Sequence, residues 1–204
     1  MLFEDTYKTI KKPTEGIYKD KGSKFFSYAF PVTSLEEIKE KQDELRNKHH
    51  SARHHCYAYI LGYDKSAMRM NDDGEPSGSA GRPIMGQIQS FDLTNVLVVV
   101  VRYFGGTKLG IRGLIDAYKF ATFDALDKAM VVKRTVNEVF NLEFNYPQMN
   151  QVMKIVKDEK LKVIGQEFAL TCNLTYSIRK RSSSAIYDMF SNISGLKINF
   201  LRQD

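Results

Sequence analysis

Between Asn71 and Pro83 the chain reads NDDGEPSGSAGRP, with the carboxylates Asp72, Asp73 and Glu75 set among glycines, prolines and serines and no large apolar side chain. Closely spaced carboxylates are oxygen ligands for a hard cation such as Mg²⁺. Here two acids are adjacent and no ligand ladder continues past Gly74, so the EF-hand pattern fails. The same residues also make a turn. Acids accept hydrogen bonds from backbone amides, glycines supply positive φ, and Pro76 holds Glu75 extended. Gly78-Ser79-Ala80-Gly81 has the composition of a backbone nest for an anion near the start of a helix. The stretch is read as a thirteen-residue link between two apolar strands. Links of that length are more often functional or disordered than plain connections.

A second constellation is GGTKLG, Gly105 to Gly110, directly after the apolar run NVLVVVVRYF. Glycines let backbone amides approach phosphate oxygens. The Walker arrangement, with lysine after the last glycine and Ser or Thr after the lysine, is absent, and the spacing of Gly106, Gly110 and Gly113 does not match the dinucleotide fingerprint. Three cations bracket the turn, so an anion or nucleic-acid site is expected on Arg102, Gly105, Gly106, Lys108, Gly110 and Arg112. Its companion would be the loop of Asp72, Asp73, Gly74, Glu75, Pro76, Ser77, Gly78 and Gly81.

Other reactive side chains are less well placed. KHHSARHHC holds four histidines next to Cys56, and strand alternation puts His54 and Cys56 on one face and His55 on the other. Zinc needs three or four convergent ligands, and no CxxC or HExxH supplies the rest. His49 and His50 suit the negative end of a helix. Ser77 and Ser79 lack a GxSxG elbow, and Cys56 in an apolar strand reads as a small core residue. The basic run Arg179-Lys180-Arg181 stands at a helix entrance, either solvated or touching nucleic acid. No catalytic residue, metal or cofactor is expected.

The elements that must position these residues follow from hydrophobic pattern. Strands are expected at 16–18, 24–30 and 55–61, and a helix from Leu35 behind Ser34 to the histidines. Arg82-Pro83-Ile84-Met85 would begin another helix. Val96 to Val101 is apolar without alternation, as in a strand buried on both faces, and a long amphipathic helix carries Leu114, Ile115, Tyr118, Ala121, Ala125, Leu126 and Ala129. From 131 the texture changes to βαββαβ: strand 136–144, a helix from Tyr146, strands 161–168 and 170–178, a helix through Phe190, Gly195 as its cap, and strand 196–200. The fold class is α+β, in two domains, 1–130 and 131–204.

With 43% hydrophobic and 26% charged residues, 204 residues are ample for a soluble core. No apolar run is long enough to span a bilayer, and MLFEDTYKTIKK lacks the apolar segment of a signal peptide. Two distant cysteines fit a reducing compartment, so a cytoplasmic protein without membrane association is expected. The +6 charge leans toward anionic partners.

GSKFFSYAF, HHCYAYI, DDGEPSGSAGRPI and VVVVRYFGGTKLGIRGLIDAY, in this order, resemble the YigZ/Impact family of translation-associated proteins. The resemblance covers nearly the whole chain. It implies an N-terminal domain like ribosomal protein S5 domain 2 and a ferredoxin-like C-terminal domain similar to one in elongation factor G. It also implies a partner that is RNA, the ribosome or a translation-related protein; eukaryotic members bind a protein that activates an initiation-factor kinase. No catalytic residue is carried over. Arg112 stands where the family usually has glycine, which narrows backbone approach and adds a cation. The alternatives are an enzyme with an anion pocket between the two glycine-rich loops and a pure protein-interaction module.

Overall fold

The computed structural model describes residues 5–203, which form two compact units. One is Tyr7–Arg134; the other joins Asp5 and Thr6 to the residues from Thr135 onward. The expected first domain begins at Met1, whose neighbourhood up to Glu4 lies outside the described residues, as does Asp204.

The first unit is built on an antiparallel sheet of β2 (Thr14–Asp20), β3 (Ser23–Pro31), β4 (His54–Leu61), β5 (Ala67–Asn71) and β6 (Val96–Tyr103), in the order β2-β3-β6-β4-β5. β6 is the middle strand and is covered on both faces, which is why its sequence shows no alternation. Val96, Val98 and Val100 join Phe25, Cys56 and Ala58 under α2 (Gly81–Ser90) and α3 (Gly110–Asp127). Leu97, Val99 and Val101 join Tyr28, Tyr57 and Tyr59 under α1 (Leu35–Lys48). Each such valine stabilises the fold by roughly 1.5–3 kcal/mol of apolar burial. Ser34 caps α1, its Oγ accepting from the Glu37 amide at 3.2 Å.

Three features differ from the sequence reading. The polar N-terminal arm contains β1 (Thr6–Ile10), which pairs with β7 (Val131–Thr135) in a two-stranded ribbon. AMRMN is a strand, β5, exposed along its whole length. Consequently the acidic loop is shorter than thirteen residues and joins a strand to a helix: Asn71 ends β5 and Gly81 begins α2.

In the second unit the order is β8 (Asn137–Phe144), α4 (Met149–Asp158), β9 (Lys162–Phe168), β10 (Cys172–Arg179), α5 (Lys180–Ser191) and β11 (Lys197–Gln203), with the sheet ordered β11-β8-β10-β9 and antiparallel throughout. Phe140, Leu142, Leu174 and Tyr176 face Val152, Val156, Ile186 and Phe190 of the two helices. The opposite face is polar: Asn141 pairs in register with Thr175 and Asn199, and its amide donates to Thr175 Oγ1 at 3.2 Å. A 3₁₀ turn, Tyr146–Gln148, leads into α4 through a capping box between Asn145 and Gln148. Asn192, not Gly195, caps α5, and Gly195 takes positive φ in the turn before β11.

Candidate functional site

At one end of the five-stranded sheet, three residues lie side by side on neighbouring strands. Arg102 on β6 is the register partner of both Phe25 on β3 and His54 on β4. Phe25 and Cys56 belong to the core beneath α2 and α3, so the period-2 alternation puts Phe25, Arg102, His54 and Cys56 on that face. The acidic loop arrives at this row from β5, and the glycine turn leaves it from β6.

The loop is held almost entirely through its acids. Asp72 reaches forward eight and nine residues: its Oδ1 accepts from the Ala80 and Gly81 amides at 2.9 and 2.8 Å, and its Oδ2 from the Gly78 amide at 2.8 Å. It therefore supplies the N-terminal acceptors of α2 that Ala80, the residue at the cap position, cannot. Burial alone would raise the Asp72 carboxyl. The three amides, with Arg82 nearby, outweigh that and hold it below the ordinary value. Asp73, at φ 40°, accepts from the His55 amide at 2.7 Å, and its carbonyl meets His54 Nδ1 at 2.8 Å. Gly74 and Gly78 take positive φ, and Ser79 Oγ donates to the Pro76 carbonyl at 2.6 Å.

Glu75 is buried, and its Oε1 accepts from Arg102 Nη1 at 2.7 Å and from the Tyr118 hydroxyl at 2.8 Å. One carboxylate thus joins the loop, the central strand and α3. The Arg102 guanidinium lies over two rings, 5.5 Å from the centroid of Phe25 and 5.6 Å from that of Phe104. This modifies the role expected for Arg102: it is 7% exposed and already neutralised by Glu75, so it anchors the site instead of projecting a free charge. The acids also diverge, toward helix amides, a strand amide and a guanidinium, and do not converge on one point. Among the described residues no three His, Cys, Asp or Glu side chains are grouped to hold a metal ion.

The glycine turn is rigid at its start and open afterwards. A Cβ on Gly105 would stand 1.9 Å from the Gly22 carbonyl carbon and 2.1 Å from the Ser23 nitrogen, so only glycine lets the chain pass the β2–β3 turn. Gly106 and Gly110 take φ of 88° and 74° with nothing within 4 Å of a Cβ. Lys108 lies between them and Arg112 follows the second, both exposed, and no carboxylate pairs with either among the described residues. Pro76 and Ser77 are exposed on the loop.

The histidines separate. His54 and Cys56 do share a face, but Cys56 Sγ lies 2.9 Å from the Asp72 carbonyl and 3.2 Å from the Tyr118 hydroxyl, wholly buried, and that burial pushes its thiol pKa up. His49, expected to face the helix end as a cation, is buried between two hydroxyls instead: Nε2 is 2.7 Å from Tyr28 Oη and Nδ1 is 2.9 Å from Tyr103 Oη. Burial, with Lys48 beside it, lowers its pKa and favours the neutral ring. Two residues that contact the loop anchors here, and that the sequence reading did not place at the site, are Tyr118 and Phe104. Tyr118 was legible only as part of a helix face, and Phe104 only as the residue between a strand and a glycine turn. In the second unit, Arg179 of the basic run is taken by Asp5, with Nη2 at 3.0 Å from Oδ1.

The family profile described as the Impact N-terminal domain matches residues 21–126, which contain both loops. The chain is 31% identical over 170 residues to an IMPACT family member of Haemophilus influenzae, covering 81% of each protein. It is 26% identical to the IMPACT family member YvyE of Bacillus subtilis, over 94% of this chain and 88% of that one. A crystal structure of a hypothetical protein superposes with a TM-score of 0.74 at 24% identity, covering 98% of this chain and 99% of the other, a likeness of fold.

Proposed function

The chain belongs to the IMPACT family, and from that membership we propose a translation-associated protein that acts in the cytoplasm and binds RNA through the turn from Gly105 to Arg112. The five-stranded unit is read as S5 domain 2-like and the βαββαβ unit as ferredoxin-like, two domains that fold independently. The link to translation rests on the family resemblance of the motifs named above.

One observation carries the RNA reading: two positive-φ glycines with open space around them, Gly106 and Gly110, alternate with two exposed cations, Lys108 and Arg112, that no carboxylate pairs with among the described residues, on a turn whose start Gly105 and the Glu75–Arg102 pair hold in place. Exposed amides and cations on a fixed backbone are the elements of phosphate binding. The distribution of charge supports it. Residues 7–134 hold 21 Lys and Arg against 15 Asp and Glu, a net +6, while the rest of the chain balances at nine of each. Among the described residues the open sheet face of the second unit, where Asn141, Thr175 and Asn199 lie, offers no aromatic platform, so stacking recognition of the RRM kind is not favoured there. For the enzymatic alternative, Cys56 is buried as a thiol and Ser79 Oγ is bonded to the Pro76 carbonyl, so neither is a free nucleophile.

The test is RNA binding by the full chain and by the Lys108→Gln/Arg112→Gln variant across a salt series. Removing one bound phosphate lowers the log–log slope by roughly 0.7 for single strands. Equal slopes for the two folded proteins would overturn the reading.

A further inference from the structure

We infer that the notch beside this turn, between His54, Arg102 and Phe104, receives one ribonucleotide of a bound single strand, the base against Phe104 and the ribose 2′-hydroxyl donating to His54. The inference rests on the RNA reading above and adds what that reading leaves open: how RNA would be told from DNA. The notch is a cavity of about 390 Å³ at the ends of β4 and β6, lined also by Arg53 and Tyr103. That volume falls within the range of small-ligand sites.

Four properties of its wall point to a nucleotide. Arg102 is a buried guanidinium with only Nη1 engaged; among the described residues its Nε is buried without a hydrogen-bond partner, and nothing bonds Nη2. A donor left without a partner on a buried guanidinium is costly, and an unengaged guanidinium nitrogen suits an oxygen acceptor. Arg53 is exposed at the rim, without a carboxylate partner among the described residues, and adds the net charge that the Glu75–Arg102 pair lacks. Phe104 follows β6 with 59% of its surface exposed and its ring against the guanidinium. A large exposed ring beside cations is a stacking platform for a base.

His54 supplies what phosphate binding alone does not explain. Its Nδ1 is 2.8 Å from the Asp73 carbonyl oxygen, which can only accept, so Nδ1 carries the proton. In the neutral ring Nε2 is then an acceptor. Gly74 packs against the ring, where a Cβ would lie 3.4 Å from it, so the loop helps set its position. An acceptor among cations would repel a bare phosphate and suits a hydroxyl donor. The 2′-hydroxyl is the group that distinguishes RNA from DNA.

The experiment compares fluorescein-labelled rU12 and dU12 on the full chain by anisotropy. Wild type is expected to prefer rU12 severalfold. His54→Asn keeps an amide donor near the Nδ1 position and lacks Nε2; it should bring the two affinities together while leaving the salt slope unchanged. Phe104→Leu, at an exposed position, should weaken both by about tenfold, within the range of base–aromatic stacking. Equal binding of rU12 and dU12 by wild type overturns the inference, as does a preference retained in folded His54→Asn. Should His54→Asn fail to fold, unchanged affinity of Phe104→Leu overturns it instead. If the slope still depends on Lys108 and Arg112 while His54 and Phe104 do nothing, this inference alone fails. If rU12 is bound by neither route, the RNA reading fails with it.

Discussion

Glu75 and Arg102 are 27 residues apart in the chain and 2.7 Å apart in the fold, and both are buried. Through this pair, with Tyr118 as second donor to the same oxygen, the acidic loop is fastened to the strand that enters the glycine turn. The loop is long because its acids reach three separate structures: a helix start, a strand edge and a buried guanidinium.

Breaking that pair from one side should be severe. Glu75→Ala leaves an uncompensated buried guanidinium, and removing one partner of a buried ion pair costs about 3–5 kcal/mol. Glu75→Leu combined with Arg102→Met removes both charges and should cost less than the sum of the single changes. Urea denaturation of Glu75→Ala, Glu75→Leu, Arg102→Met and the double variant measures this. Additive effects would show that the two residues do not act as a unit.

The two neighbouring glycines should respond differently to the same substitution. Gly105→Ala drives a methyl into the Gly22–Ser23 backbone and must move the β2–β3 turn. Gly106→Ala meets no atom within 4 Å and bears only the positive-φ penalty, about 1–2 kcal/mol. Thermal melts should therefore place Gly105→Ala well below Gly106→Ala, and the reverse order would refute the close approach.

Acid should weaken the protein in two stages. Burial is the main cause that lowers His49 and His55, with Lys48 opposing protonation of the first and Arg46 that of the second. Unfolded, both bind a proton near pH 6.5; folded, they do so at lower pH. The unfolded state binds more protons in that interval, so stability is complete above about pH 6.5 and falls as the pH drops through the folded values. Asp72 has the same sign lower down: stability is lost as pH falls below its unfolded value of 3.8 toward the depressed folded one. His55→Phe should flatten part of the first stage, and Asp72→Asn should remove part of the second. A thermal midpoint constant from pH 7 to pH 5 would contradict the first assignment.

Much of this could be read from the chain, where local pattern and final environment agree. The unbroken apolar run from Val96 to Val101 marks a strand covered on both faces, and the 3.6-residue stripe through Leu114, Tyr118, Ala121 and Ala125 marks the helix over it. β5 and β7 escaped because they are exposed strands, whose side chains need no alternation. His49 escaped because its environment comes from Tyr28 and Tyr103, 21 and 54 residues away. Composition showed that acids would hold amides, but which amides depends on the reach of Asp72 across the loop to Gly81. The link between Glu75 and Tyr118 spans 43 residues and left no local trace.

The central claim is that the turn from Gly105 to Arg112 binds RNA phosphate, and the most direct measurement is the salt dependence of RNA affinity in the folded Lys108→Gln/Arg112→Gln variant. The account predicts weaker binding and a log–log slope shallower by roughly 1.4, two phosphates at about 0.7 each. A slope and affinity unchanged from the wild-type protein would contradict it.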